Sequence, residues 1–401
     1  MLTSLALIFL VGLGLASICR RIKLPRIIGM LVTGIVLGPY VLDLLDPSIL
    51  GISAQLRQMA LIIILIKAGL SLDISDLKKI GRPAILMSFL PAVFEILAFL
   101  IFAPAVLHVT RIEALIMGAV LGAVSPAVVV PKMVQLMDEK RGTDKSVPQL
   151  ILAGASLDDV FVIVLFTTFV SIAQGNGASV VDFINIPISI VVGILIGAAA
   201  GLILSWLFEA NYRHDHIVRN SKKVIIVLAA SFILVALEEW LDGYIPMSGL
   251  LAVMSMAMVI AMKSIPRVTV RLRAKFGKLW IAAEVILFVL VGAVVDIRYT
   301  VKAGAMAVLM IFAALVFRSI GVWLCLIGTK LNWKERLFCV IAYLPKATVQ
   351  AAIGSVPLSL GLPCGKMVLS IAVLSILITA PLGAIGMDLT YKKLLNQAAE
   401  E

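Results

Sequence analysis

The stretch LILAGASLDDVFVIVLFTTFV, from Leu150 to Val170, places two adjacent aspartates, Asp158 and Asp159, inside a run that is otherwise apolar. The run is close to the ~20 residues that a membrane-spanning helix needs. A charged carboxylate at the centre of a bilayer costs about 2.5–3.5 kcal/mol on insertion scales, and two neighbouring carboxylates also repel each other. The pair therefore indicates that a bound cation, a bound proton or a buried base offsets this cost.

The composition of the whole chain agrees with a membrane setting. Of its 401 residues, 62% are apolar and 14% are charged, whereas soluble domains carry about 25% charged residues. The net charge of +11 is typical of basic cytoplasmic loops, so it indicates orientation in a membrane and no nucleic-acid partner. The four cysteines are scattered and indicate neither a disulfide framework nor a metal site. We expect an all-α polytopic membrane protein.

The apolar runs predict thirteen spanning helices, and the loops between them alternate in charge. About 25 basic residues fall in one set of loops and about 5 in the other, which by the positive-inside rule places the N-terminus outside and the C-terminus in the cytoplasm. The expected membrane is the plasma (inner) membrane. The predicted limits are 2–18, 27–43, 55–72, 83–107, 113–137, 148–172, 184–208, 222–238, 246–262, 279–296, 302–328, 335–357 and 366–387.

Two of the predicted helices contain a proline near their middle. In the fifth helix Pro126 follows Ser125, and in the twelfth helix Pro345 precedes Lys346. Proline removes a backbone donor, so each site is either a simple kink or an unwound segment that faces a cavity. Helices seven positions apart run antiparallel, which fits an inverted repeat of helices 4–6 and 11–13.

Four other ionisable side chains lie within apolar runs: Lys67, Glu95, Arg318 and Lys346. Glu95 and Arg318 predict a permanent structural ion pair, because arginine stays protonated. Two roles are open for Lys346. It either neutralises Asp158 or the carbonyl ends of a broken helix, or it exchanges a proton, as buried lysines are able to do.

The aspartate pair predicts a cation site with two different halves. Helix neighbours point about 100° apart, so one aspartate can meet a base while the other faces a cavity. Ser156 lies three residues before Asp159 and on the same side, and Ser125 stands at the fifth-helix break. We predict that Asp158, Asp159, Ser125 and Ser156 supply the hard oxygen ligands that Na⁺ or Li⁺ requires.

Four motifs together resemble the NHA-type sodium/proton antiporters, a branch of the monovalent cation/proton antiporter superfamily. The resemblance implies that Asp159 is the principal carboxylate for cation and proton and that Asp158 is its neighbour. It implies that Glu95 is the partner of Arg318, which stands where electrogenic relatives carry lysine. The motifs are FEILAF around Glu95, VSPAVVVP (Val124 to Pro131), GASLDD (Gly154 to Asp159) and LPKATVQAAIGSV (Leu344 to Val356).

The resemblance also implies an NhaA-like antiporter fold with two crossing unwound helices, and a homodimer that works by elevator-like alternating access. A core transport domain is expected at about 83–172 and 302–387, a dimerisation domain at about 1–72 and 184–262, and a linking helix at about 279–296. The expected partners are membrane lipid and a second copy. We expect no cofactor and, since the chain ends soon after Lys393, no regulatory soluble domain.

The expected function is exchange of Na⁺ or Li⁺ for H⁺, with cation and proton competing for the buried aspartates, and no enzymatic activity. Two alternatives share the architecture: a K⁺/H⁺ antiporter and an organic-anion/Na⁺ symporter, which would be expected to show polar ligands for its organic substrate. A channel would need a filter. An intramembrane aspartyl protease would need its two aspartates on different helices, which adjacent residues on one helix do not provide.

Overall fold

The computed structural model describes residues 1–22, 24–71, 81–175, 180–215, 220–241 and 244–397, apart from some helical side chains, that of Ser156 among them. Within these ranges every regular element is a helix, and the one β pairing is an isolated bridge between Arg141 and Gln397. The predicted all-α class is confirmed.

The chain divides into two compact units. The first comprises Met1–Ala54, Ile74–Gly175 and Val285–Glu401, and the second comprises Gln55–Asp73 and Asn176–Glu284. The first unit contains both segments of the predicted transport domain, and the functional division into transport and dimerisation domains stays a prediction.

The helices of the first unit carry the buried charges predicted above. Each starts and ends as follows: α1 Leu2–Arg21, α2 Arg26–Leu37, α3 Pro47–Gly51, α5 Arg82–Met87, α6 Leu90–Leu107, α7 Arg111–Gly122, α8 Pro126–Asp138, α9 Val147–Ala173, α14 Ile297–Cys325, α15 Trp333–Ala342, α16 Thr348–Ile353, α17 Val356–Ser359 and α18 Gly365–Leu394. The remaining helices are α4 Ser53–Ser71, α10 Val180–Asp215, α11 Asn220–Leu241 and α12 Gly249–Lys263, with α13 Pro266–Ala293 belonging to both units.

Eight helical stretches within the described residues are long and apolar enough to cross a bilayer, and four shorter helices of 10–17 residues are also apolar. The number of thirteen spans and the inverted repeat stay predictions. Several boundaries differ from the prediction, most of all the start of α13: the basic stretch after Lys263, expected to be a loop up to residue 279, is helical from Pro266 onward. The ends of α2, α10 and α18 also differ, at residues 37, 215 and 394 where 43, 208 and 387 were expected. Proline fits the first helical position, and lysine and arginine are good helix formers, so this charged segment continues into the apolar part of α13.

Both predicted helices with a proline near their middle, the fifth and the twelfth, are interrupted. The first stops at Gly122, and α8 starts again at Pro126 after the extended residues Ala123 and Ser125. The twelfth predicted helix stops at Ala342 and restarts at Thr348. We call residues 123–125 the first break and residues 343–347 the second break. Since proline lacks a backbone N–H and restrains the residue before it, Pro126 and Pro345 account for the positions of the breaks.

Close packing of α6 against α7 brings Glu95 towards the first break. A Cβ at Gly118 would lie 2.8 Å from Cα of Ile96, so only glycine allows the two backbones to approach this closely. Ile96 follows Glu95 directly, and Gly118 is four residues before the end of α7. The contact therefore holds the Glu95 carboxyl near the last turn of α7.

In the second unit α10 packs on α12 through a stripe of glycines. Cβ atoms at Gly193, Gly197 and Gly201 would lie 2.6, 2.1 and 2.7 Å from the carbonyl oxygens of Ser248, Ala252 and Met256, respectively. Small residues spaced four apart allow helix backbones to pack closely in membranes. This stripe gives the second unit a tightly packed helix pair.

Candidate functional site

The two breaks meet inside the first unit. The backbone N–H of Ser125 donates to the carbonyl of Pro345 at 2.8 Å, and the Gln350 amide donates to the carbonyl of Ala123 at 2.9 Å. Unwinding frees carbonyls at the ends of α7 and α15 and N–H groups at the starts of α8 and α16. The crossing therefore concentrates unpaired backbone dipoles at one buried place, where charged side chains can bind them.

Glu95 accepts hydrogen bonds from both buried bases. Its Oε2 lies 2.8 Å from Nη1 of Arg318 and 2.5 Å from Nζ of Lys346. All three side chains are at most 1% exposed. The structure thus brings Glu95 and Arg318 together, as the sequence indicated, and adds Lys346 as a second cation on the same carboxylate.

Arg318 uses its fork of donors to hold four groups at once. Besides Glu95, it donates to the carbonyl of Gly122, to the carbonyl of Tyr343 at 2.7 Å and to Oδ2 of Asp158 at 3.1 Å. Gly122 ends α7 and Tyr343 begins the second break. Because a guanidinium presents five N–H groups in a fixed plane, Arg318 can bind both broken helices and two acids simultaneously.

Lys346 binds the carbonyl end of the first broken helix. Its Nζ donates to the carbonyl of Leu121 as well as to Glu95, and its backbone N–H donates to Oγ1 of Thr379 at 2.9 Å. The sequence left two partners open for Lys346, Asp158 or the carbonyl end of a broken helix, and in the structure Lys346 binds the helix carbonyl. The acid that Lys346 contacts directly is Glu95 and not Asp158, because α6 packs closely on α7.

The two adjacent aspartates have different surroundings. Asp158 is fully buried, and its Oδ2 accepts from Nη2 of Arg318 at 3.1 Å and from the backbone N–H of Val124 at 2.8 Å, while its Oδ1 has no hydrogen-bond partner among the described residues. Asp159 is 6% exposed, and its Oδ1 is buried without a hydrogen-bond partner among the described residues. Neighbours on a helix point in different directions, so one carboxylate joins the charged network (Glu95, Asp158, Arg318 and Lys346) and the other does not.

Ser125 also has an unused oxygen. Its Oγ is fully buried at the first break and has no hydrogen-bond partner among the described residues. The side chain of Ser156, the other predicted hydroxyl ligand, is outside the described part of the structure. Carboxylate and hydroxyl oxygens are the ligands that a small alkali cation prefers, so Asp159 and Ser125 offer free oxygens suited to such an ion.

Two site residues have no motif that marks them. The Tyr343 ring lies 5.6 Å from the Arg318 guanidinium, and its hydroxyl would lie 2.0 Å from a Cβ at Gly154. Gly154 is one helical turn before Asp158, so its missing side chain lets Tyr343 pack against α9. The second site residue without a motif is Thr379, whose hydroxyl accepts from the backbone N–H of Lys346. The only signal in the sequence is that each is a polar residue within an apolar run.

The chain is similar to known sodium/hydrogen exchangers along nearly its whole length. The family model described as "Sodium/hydrogen exchanger, transmembrane" matches residues 5–391. Sodium/hydrogen exchanger 9B2 of Homo sapiens is 33% identical over 404 residues, covering 97% of this chain and 73% of the relative. Sodium/hydrogen exchanger 9B1 of Homo sapiens is 30% identical over 387 residues, covering 93% and 73%.

A solved structure supports the fold. The sodium proton antiporter MjNhaP1 from Methanocaldococcus jannaschii at pH 8 superposes with a TM-score of 0.84 at 21% identity, covering 98% of each chain. The antiporter fold predicted from the resemblance is thereby confirmed. The chain belongs to the sodium/hydrogen exchanger family and is a multi-pass cation/proton antiporter of the monovalent cation/proton antiporter superfamily.

Proposed function

We propose that this chain exchanges Na⁺ or Li⁺ for H⁺ at Asp159. The observation that carries the proposal is the difference between the two aspartates: Oδ2 of Asp158 accepts from Arg318 and Val124 and only its Oδ1 is unpaired, while no base and no hydrogen-bond donor pairs with Asp159 among the described residues. A buried carboxylate without a base is costly unless a cation or a proton neutralises it. The carboxylate of Asp159, which has no base beside it among the described residues, is therefore the place where transported ions bind.

The charge balance of the site supports an exchange of one cation for one proton. The charged network holds two acids, Glu95 and Asp158, and two bases, Arg318 and Lys346, joined by three ion pairs. With both acids ionised and both bases protonated the network is neutral, so Asp159 carries the remaining negative charge. Either one Na⁺ or one H⁺ cancels it. In this proposal Lys346 is a fixed cation held by Glu95 and not the proton carrier.

Competition at one carboxylate couples the two fluxes by alternating access. A neutralised Asp159 crosses the membrane interior at low cost, whereas an empty, ionised one does not. The oxygens proposed to surround the cation are those of Asp159 and Ser125, with Asp158 and Ser156 as further candidates from the sequence. Na⁺ and Li⁺ favour such hard ligands. A loaded site exposed in turn to the two sides of the membrane then gives exchange without a leak.

The assembly proposed for this cycle is a homodimer in the plasma (inner) membrane. The moving part is the transport domain (83–172 and 302–387), and the fixed part is the dimerisation domain (1–72 and 184–262) with its linking helix (279–296). The N-terminus lies outside and the C-terminus in the cytoplasm. The family resemblance supports the dimer, and the alternating charge of the loops supports the orientation.

The test is ion exchange in proteoliposomes, followed by dequenching of a pH-sensitive dye when a cation is added. Asp159→Asn should reduce Na⁺- and Li⁺-driven proton flux to the background of empty vesicles, because an amide neither ionises nor exchanges a proton. Asp388→Asn is the matched control: it makes the same chemical change at a side chain that is 61% exposed, and its flux should equal the wild type. Sustained exchange in Asp159→Asn would contradict the assignment.

Two further arms of this assay separate the alternatives. Addition of K⁺ or of a bile salt in place of Na⁺ tests for a K⁺/H⁺ antiporter or an organic-anion symporter. Clamping the membrane voltage tests the 1:1 ratio, since moving one net charge across 100 mV involves about 2.3 kcal/mol. A rate that changes less than about twofold over that voltage range supports neutral exchange, and a steep dependence would exclude it.

A further inference from the structure

We propose that Gln350 is a positioning residue that fixes the two breaks relative to each other and so sets the cation affinity of the site. The inference rests on the proposed function, because it concerns the geometry around the ion-binding carboxylates. Gln350 does not touch the ion in this proposal. It acts through the backbone segments that present Asp158 and Ser125.

The side chain of Gln350 joins three backbone groups from both broken helices. It is fully buried on the short helix α16. Its Oε1 accepts from the N–H of Ala347 at 2.8 Å, in the second break. Its Nε2 donates to the carbonyl of Ala123 at 2.9 Å and lies 3.5 Å from the carbonyl of Leu121.

Gln350 bonds a residue that directly precedes the one binding Asp158. Ala123 precedes Val124, whose N–H binds Asp158, and Val124 precedes Ser125. Leu121 also accepts from Lys346. A shift of the Ala123 carbonyl therefore moves the donor that holds Asp158 and the hydroxyl proposed as a cation ligand.

The chemistry of the amide explains why glutamine suits this position. Only a side-chain amide combines an acceptor with two donors while staying neutral at every working pH. A carboxylate of the same size would still accept from Ala347 but would lose the donor to Ala123. Once protonated, the same carboxyl has an O–H donor again. Gln350→Glu is therefore a variant whose hydrogen bonds depend on pH in a way that the wild type's do not.

The experiment measures KM for Na⁺ and the maximal exchange rate in proteoliposomes for the wild type and Gln350→Glu across a pH series. At alkaline pH, where the introduced carboxyl is ionised, we expect KM to rise about tenfold, equivalent to about 1.4 kcal/mol, with the maximal rate within about twofold. The ratio of the two KM values should fall towards one at acidic pH. Normalising to the wild type removes the competition between protons and Na⁺ that both proteins share.

Two variants keep this result interpretable. Gln135→Glu makes the same change at an exposed side chain of α8 that bonds Lys132 and Glu139, and its KM ratio should stay near one at every pH. Gln350→Ala removes both donor and acceptor, so its KM should be raised at all pH values without recovery in acid.

Three outcomes would overturn the inference. They are an unchanged KM in Gln350→Glu, a raised KM that does not depend on pH, and loss of folded protein in Gln350→Glu while Gln135→Glu folds, which would give Gln350 a structural role only. Failure of the proposed function looks different. In that case Asp159→Asn keeps its exchange, whatever the KM values of the Gln350 variants.

Discussion

Two neighbouring carboxylates on α9, Asp158 and Asp159, differ in their hydrogen-bond and ion-pair partners. On the side of Asp158, Arg318 binds two acids and two backbone carbonyls, and Lys346 binds Glu95 and a third carbonyl. Asp159 has no base or donor among the described residues, and three buried oxygens there lack a hydrogen-bond partner: Oδ1 of Asp158, Oδ1 of Asp159 and Oγ of Ser125. In the proposed function, Arg318 keeps Asp158 charged and fixed, and an ion completes the surroundings of Asp159.

The difference indicates why the chain keeps two aspartates and not one. If a single carboxylate both paired with Arg318 and bound the transported ion, each protonation would break its ion pair with Arg318, the residue that binds both broken helices. In the proposed function these roles are divided, so protonation of Asp159 leaves the ion pairs of the charged network in place. Stability and transport should therefore respond to different mutations, and the following changes test that separation.

The largest effect on stability is expected for Arg318→Met. The change leaves Glu95 and Asp158 buried without their shared base and frees the carbonyls of Gly122 and Tyr343. Breaking a buried ion pair by removing one partner costs about 3–5 kcal/mol, so the melting temperature of the purified protein should fall steeply. The measurement is thermal unfolding in detergent, compared with Asp159→Asn.

Asp159→Asn should behave in the opposite way in the same experiment. Because the described structure shows no partner for Oδ1 of Asp159, the amide removes a buried charge without breaking an ion pair, and stability should be unchanged or higher. Arg318→Lys keeps the charge but loses the planar fork, and its melting temperature should lie between those of the wild type and Arg318→Met. Equal melting temperatures for Arg318→Met and Asp159→Asn would show that the two sides do not differ as described.

A smaller effect, on transport alone, is expected for Ser125→Ala. If the free Oγ of Ser125 is a cation ligand, its loss should raise KM for Na⁺ about fivefold, since a single polar contact is worth about 1 kcal/mol. Stability should not fall, because an unpartnered buried hydroxyl is replaced by a methyl group.

Ser355→Ala is the matched control for this change. Its Oγ is also buried without a hydrogen-bond partner among the described residues, but it lies beyond α16 and outside both breaks. Its KM should equal the wild type. A KM of wild-type size in Ser125→Ala would remove that hydroxyl from the proposed ligand set. The carboxylate of Asp159 would stay in the set, because Asp159→Asn tests it separately.

Much of the fold was predictable because it follows from local rules. Apolar runs predicted the helical class, and Pro126 and Pro345 predicted where two helices are interrupted. The pairing of Glu95 with Arg318 followed from one isolated acid and one isolated base in apolar helices. The start of α13 was missed because charged residues that form a helix well look the same as a basic loop when only hydropathy is read.

The partners of the buried charges were less predictable, since they depend on packing between distant helices. That Lys346 meets Glu95 is set by the approach of α6 to α7 at Gly118, which no local pattern specifies. The Tyr343 hydroxyl reaches α9 only because Gly154 has no side chain. Likewise, the sequence placed two aspartates at one site without indicating which of them Arg318 binds.

The smallest effect on stability is expected for Asp388→Asn, which removes an ion pair that is exposed to solvent. Nζ of Lys132 on α8 lies 2.6 Å from Oδ1 of Asp388 on α18, and the Asp388 side chain is 61% exposed. An ion pair of this kind contributes about 0–1 kcal/mol and is screened by salt, so Asp388→Asn should lower the melting temperature slightly at low salt and not at high salt. Lys132 also lies 3.9 Å from the Tyr391 ring, a contact that does not need the carboxylate and should hold the side chain in place. A loss as large as that of Arg318→Met would mean that burial is not what separates structural from dispensable charges in this protein, and the contrast drawn between Asp158 and Asp159 would lose its physical basis.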